Sequence, residues 1–135
     1  MLADRLDATP VVLGSKNDSE ACQMTVERMR RAGLNLCGQV GLGDVMGILH
    51  HALVVVANDS GGMHLAAALG VPVVGLFFSS DPAWTRPVGS RTAFIYNRFE
   101  CSPCFRRTCD LKHPCTETIS VEEVYEVVMG MVTET

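Results

Sequence analysis

At 135 residues the chain has the size of one domain and is long enough to bury a core. With 47% hydrophobic and 19% charged residues it reads as globular, and its net charge of −4 argues against a nucleic-acid binder, which would carry a basic face. No apolar run reaches the roughly 18–20 residues of a membrane span and residues 1–5 are no signal peptide, so the expectation is a cytoplasmic protein with reduced thiols.

Residues 11–13 form a short strand closed by Gly14-Ser15. Ser19 can cap a helix over 20–32, with Cys22, Val26 and Met29 on one face and Gly33 as its stop. A second short strand is expected at 36–39. Leu42, Val45, Leu49 and Ala52 then repeat at helical spacing, weakened by Gly43 and Gly47. Residues 53–57 read as a strand, 63–69 as a helix ended by Gly70, and 73–77 as another strand. After a loop rich in Pro, Ser and Gly comes a strand near 92–96, then a four-cysteine segment at 101–115. Ser120 and Glu123 make a capping box for a last helix carrying Val121, Val124, Val127, Val128 and Met131. Strand and helix alternate throughout, which predicts an α/β fold with a mainly parallel sheet.

The stretch VVVANDSGGMHLAAALG, residues 54–70, places its most polar residues at the carboxyl end of its most apolar strand. Ligands of open parallel sheets sit there, where loops lead into helix N-termini. Gly61 and Gly62 bare backbone N–H groups just where the helix dipole is positive, which suits a phosphate. A carboxylate beside a phosphate is repelled, so Asp59 is better used to accept from sugar hydroxyls. The corner therefore reads as a site for a molecule with both a phosphate and a polyol. The plainer reading makes Asp59 or Ser60 a helix cap and the glycines a turn. His64, in the first turn, could donate to an anionic oxygen or pack beneath the loop. His50 and His51 end the preceding helix, where they satisfy carbonyls.

The residues from Asn58 to Pro72 resemble the signature of the heptosyltransferases, glycosyltransferase family 9. The likeness continues through Leu76-Phe77, Ser80-Asp81-Pro82 and Pro87-Val88-Gly89 into the cysteines at 101, 104, 109 and 115. It implies the C-terminal, donor-binding Rossmann-like domain of a GT-B enzyme, with a parallel sheet and helices on both faces. It also implies transfer of heptose from ADP-heptose to the lipopolysaccharide inner core at the cytoplasmic face of the inner membrane, with peripheral membrane contact in the intact enzyme. By that resemblance Asp59 matches the aspartate on the donor sugar hydroxyls. Ser60, Gly61 and Gly62 match the loop facing the diphosphate, and His64 the motif histidine. Asp18 or Glu20 falls where the family has an acid near the donor ribose; a helix N-terminal charge is the ordinary alternative. No cofactor is implied.

Two departures stand out. Phe78 occupies a position where the family usually has glycine, which crowds the loop. Residues 1–8 resemble the end of the domain's first helix, so the domain's first strand and its phosphate-facing lysine, which Lys16 does not match, are expected to be absent from 1–135. So is the N-terminal domain with the acceptor site and catalytic base. The strands at 11–13 and 53–57 would then pair directly or flank a gap, and the chain would tend to self-associate. A non-catalytic nucleotide-sugar binding module is the alternative function.

Cys101, Cys104, Cys109 and Cys115 could hold a structural zinc, which would make the chain a small zinc protein, or an iron–sulfur cluster, though the spacing fits no common ferredoxin pattern. They could equally be free thiols or a disulfide. Cys22 and Cys37 read as small core residues, and Arg106 and Arg107 as a solvated charged loop.

Overall fold

The computed structural model describes residues 1–133 and is α/β, with five short strands, all pairings parallel, and helices between them. The chain divides into two compact units, Met1–Ile48 and the remainder from Leu49.

The first unit starts with helix α1 (Leu2–Arg5), then strand β1 (Val11–Val12) and a 3-10 turn at Lys16–Asp18 leading into α2 (Ser19–Glu27). Strand β2 (Leu34–Asn35) pairs with β1, Val11 opposite Leu34 and Val12 opposite Asn35. Two expectations shift here. Helix α2 ends at Glu27 instead of running to residue 32, because Leu34 N–H donates to the Pro10 carbonyl at 2.9 Å and residues 28–33 must turn the chain back to reach it. The second strand lies at Leu34–Asn35 rather than 36–39, although main-chain bonds to the β1 segment continue past it, from Leu36 N–H to the Val12 carbonyl and from Gly38 N–H to the Gly14 carbonyl, each at 3.0 Å. Cys22 and Cys37 are the buried apolar residues of this unit, as expected of small core side chains.

Helix α3 (Leu42–His50) runs across the division. The second unit continues with β3 (Val55–Asn58), α4 (Gly61–Ala68), β4 (Val73–Leu76), the short α5 (Pro82–Thr85), β5 (Thr92–Ile95), a 3-10 turn at Pro114–Thr118 and α6 (Val121–Thr133). Its sheet has the order β3-β4-β5, in register Val55–Val73–Thr92 through Asn58–Leu76–Ile95. The β-branched run in β4 is buried throughout, as befits the central strand of a parallel sheet. Phe77, Met63, Val73, Val74 and Val128 are fully buried, each worth about 1.5–3 kcal/mol relative to exposure. Gly75 makes this packing fit: a Cβ there would meet Met63 Sδ and Phe77 Cε2, each at 2.9 Å.

Among the described residues the strands thus form two sheets, with β3 at the edge of the second, and the strands at 11–13 and 53–57 do not pair directly. Gly70, with φ +76, stops α4 as anticipated. Ser120 caps α6 through Glu123 N–H at 3.0 Å, but the return half of the capping box goes elsewhere: Glu123 Oε2 accepts from Asn97 Nδ2 at 2.8 Å.

Candidate functional site

Three parallel strands end on one side of the second sheet, and the chain leaving each of them builds a groove of about 1090 Å³. One part of its lining comes from the exit of β3, Asn58 and Asp59; another from the exit of β4, Phe78, Ser79 and Ser80. The remainder is the cysteine-rich segment, including all four clustered thiols together with Arg106 and Arg107.

Asp59 is the anchored carboxylate of the site. Its side chain is 21% exposed, and Thr85 on α5 donates its hydroxyl to Oδ2 at 2.7 Å. Helix α5 is itself fixed by Asp81, which accepts from Ala83 N–H at 2.9 Å, with Pro82 at the first helical position. Oδ1 accepts no hydrogen bond among the described residues and lies 3.9 Å from His64 Nε2, an ion pair only if the imidazole is protonated. Asp59 is therefore no helix cap.

Helix α4 starts at Gly61, two residues earlier than the sequence pattern implied, so both glycines sit in its first turn. Ser60 holds the N-cap position in extended conformation, but its side chain makes no capping bond. The first-turn N–H groups consequently have no side-chain cap, and at the positive end of the helix dipole they offer themselves to an anion. His64 is on the same turn with its side chain 48% exposed, so it is not packed beneath the loop.

Asp18 belongs to the first unit, where its carboxylate is engaged locally. It accepts from Ser15 N–H at 2.8 Å and from Ser15 Oγ, closing a capping box around the 3-10 turn. Those two bonds, side chain first, hold its pKa below the usual aspartate value. Ser19, read as a helix cap, instead donates to the Lys16 carbonyl at 2.7 Å.

The cysteine-rich segment is fastened to the sheet at both ends. Ser102 Oγ donates to the Phe78 carbonyl at 3.0 Å, and Phe105 N–H to the Ser79 carbonyl at 2.8 Å. At the far end Asn97 Nδ2 donates to the Thr118 carbonyl at 2.7 Å, and Thr118 Oγ1 returns a bond to the Asn97 carbonyl at 3.0 Å. All six cysteines are free thiols. Burial, then the negative charge available on Cys101, Cys109 and Cys104, pushes the Cys115 thiol up. Among the described residues no group of three or more His, Cys, Asp or Glu side chains is arranged to hold a metal ion, so the zinc and cluster readings find no coordination geometry. Thr85, Arg106 and Arg107 were not singled out by sequence as site residues; the Asp81-Pro82 pair, a cap followed by a first-turn proline, was the available signal for the helix that carries Thr85.

Residues 2–114 match the sequence profile of glycosyltransferase family 9 (heptosyltransferase). The chain belongs to that family. It is similar to lipooligosaccharide heptosyltransferase 2 of Haemophilus influenzae, 32% identical over 88 residues, which are 62% of this chain and 25% of that one. Its fold matches the crystal structure of the family 9 glycosyltransferase from Veillonella parvula at a TM-score of 0.80 and 25% identity, covering 97% of this chain and 38% of that chain. ADP-heptose LPS heptosyltransferase II of E. coli matches at a TM-score of 0.80 and 26% identity, covering 98% and 40%. The chain thus spans well under half the length of each of these proteins. No helix among the described residues is long and apolar enough to cross a membrane.

Proposed function

We propose that residues 1–135 are the donor-binding part of a GT-B heptosyltransferase, which moves heptose from ADP-heptose to the lipopolysaccharide inner core at the cytoplasmic face of the inner membrane. The observation that carries this reading is the pairing of Asp59, half-anchored by Thr85 with Oδ1 free, with the uncapped first turn of α4 immediately after it. One element accepts from hydroxyls and the other donates to phosphate oxygens, so a nucleotide-linked sugar satisfies both.

In the reaction an acceptor hydroxyl attacks the anomeric carbon of the heptose. The bond from that carbon to the phosphate oxygen breaks and ADP leaves with the electron pair. Asp59 fixes the sugar by accepting from its hydroxyls, and the N–H groups at Gly61 and Gly62 stabilise the charge that develops on the departing phosphate. His64, when protonated, adds positive charge beside the same oxygens. The base that takes the acceptor's proton, and the acceptor site, belong to an N-terminal domain of the intact enzyme.

Calorimetry on Asp59→Ala tests the assignment. Loss of a charge-assisted bond to a sugar hydroxyl weakens ADP-heptose by about 1.5–3 kcal/mol while leaving ADP nearly unchanged. Equal losses for the two ligands would remove the sugar from Asp59.

A further inference from the structure

The groove extends beyond the corner at Asp59, and its far wall carries two guanidinium groups. Arg106 and Arg107 follow directly on Phe105, whose N–H is tied to the Ser79 carbonyl at 2.8 Å and whose φ of +52 turns the chain sharply. Neither arginine has a salt-bridge or hydrogen-bond partner among the described residues, in contrast to Arg31, which pairs with Asp7 at 3.0 Å. The lining residues at the β3 and β4 exits, Asn58, Ser79 and Ser80, likewise spend none of their side-chain amide or hydroxyl groups on partners among the described residues. Free cationic forks and neutral donors thus line one cleft, and the carboxylate of Asp59 lies in the same lining, engaged by Thr85.

We propose that Arg106 and Arg107 form an oxyanion-recognition element, holding a phosphate group of the saccharide ligand while Asp59 takes its hydroxyls. The planar guanidinium fork matches phosphate oxygens two at a time, and Asn58, Ser79 and Ser80 supply the remaining donors. The element is distinct from the first turn of α4, because it uses side-chain charge and not backbone N–H groups. This proposal rests on the sugar-nucleotide reading above. The phosphate could come from the donor's diphosphate or from a phosphorylated acceptor sugar, and the two sources separate experimentally.

Calorimetry of the whole chain with ADP and with glucose 6-phosphate, at low and at raised salt, is the test. For wild type, binding weakens with salt, as charge pairing at an exposed site requires. Arg106→Ala/Arg107→Ala should cost about tenfold or more in affinity and flatten the salt dependence, while Arg106→Lys/Arg107→Lys keeps the charge but only part of the affinity. A loss confined to ADP assigns the donor diphosphate; a loss confined to glucose 6-phosphate assigns a phosphorylated acceptor. Both arginines are exposed, so an unchanged melting temperature is expected for the variants. Unchanged affinity for both probes in a folded double-alanine variant overturns the proposal, as does failure of wild type to bind either at millimolar concentration. Asp59→Ala distinguishes the two readings: if it spares ADP-heptose while the arginine variant weakens ADP, the sugar assignment falls and the oxyanion element stands.

Discussion

The Thr85 hydroxyl donates to Asp59 Oδ2 at 2.7 Å, linking a helix that follows β4 to the carboxylate that ends β3. The same hydroxyl lies 3.3 Å from the Asp81 carbonyl, a longer alternative acceptor for its one proton. Thr85→Val keeps the shape and removes the donor. It should cost about 1 kcal/mol of stability, because a charged acceptor loses its protein partner, and it should weaken ADP-heptose more than ADP. Thr85→Ser should restore both. Thermal melts and calorimetry on the two variants check this.

Gly75→Ala should destabilise the second unit by about 1–3 kcal/mol, since the new methyl would sit 2.9 Å from Met63 Sδ and from Phe77 Cε2 inside a filled core. Met63→Ala in the same chain should recover part of that loss by clearing one of the two clashes. A urea titration of the single and double variants measures both.

Alkaline pH should weaken the fold through Cys22. Its thiol is pushed from the ordinary 9.0 up to about 11, first by its hydrogen bond with Cys37, then by burial, then by the negative charge available on Cys37 and Asp18. In the unfolded chain that thiol ionises near the ordinary value, so between about 9 and about 11 the unfolded state holds fewer protons than the folded one. The contribution is therefore fully present below about pH 9 and lost as pH rises towards 11. The urea midpoint should fall across that window, and Cys22→Ala should flatten the fall.

Thiol reactivity should be graded along the cysteine-rich segment. Cys101 is exposed and should react first with a disulfide reagent, whereas Cys115 is buried with its thiol pushed up and should react last. Mass spectrometry of timed alkylation gives the order.

Self-association should run through β3. It is an edge strand, and Val56 is 40% and Leu53 53% exposed. Val56→Lys should shift light scattering towards the monomer at a given concentration.

The second unit was largely legible in the sequence because its elements are written in strong local signals. A β-branched run gives the buried β4, Gly70 stops α4, and Ser120 caps α6. The first unit was less so. Its second strand is two residues long, Leu34–Asn35, and is placed by main-chain bonds to the distant Pro10 and Val12 carbonyls that no local pattern announces. The helix over 20–32 has no local stop before Gly33; what shortens it is a tertiary bond from Leu34 to Pro10. At the candidate site, Asp59 and the glycine corner could be found because strand end, polar corner and helix are adjacent in sequence. Thr85 could not, since its value lies in a bond to a residue 26 positions away. Arg106 and Arg107 read as ordinary surface charge until the segment is seen fastened along the groove.

That fastening uses the main-chain oxygens of Phe78 and Ser79, not their side chains. Every amino acid carries a carbonyl, so the tether at those two positions is indifferent to what is substituted there. Phe78 lines the groove, so replacing it changes that lining without untying the segment that faces it. Substitution at residue 78 can therefore reshape the cleft while its frame stays put, which makes it a poor target for unfolding the loop.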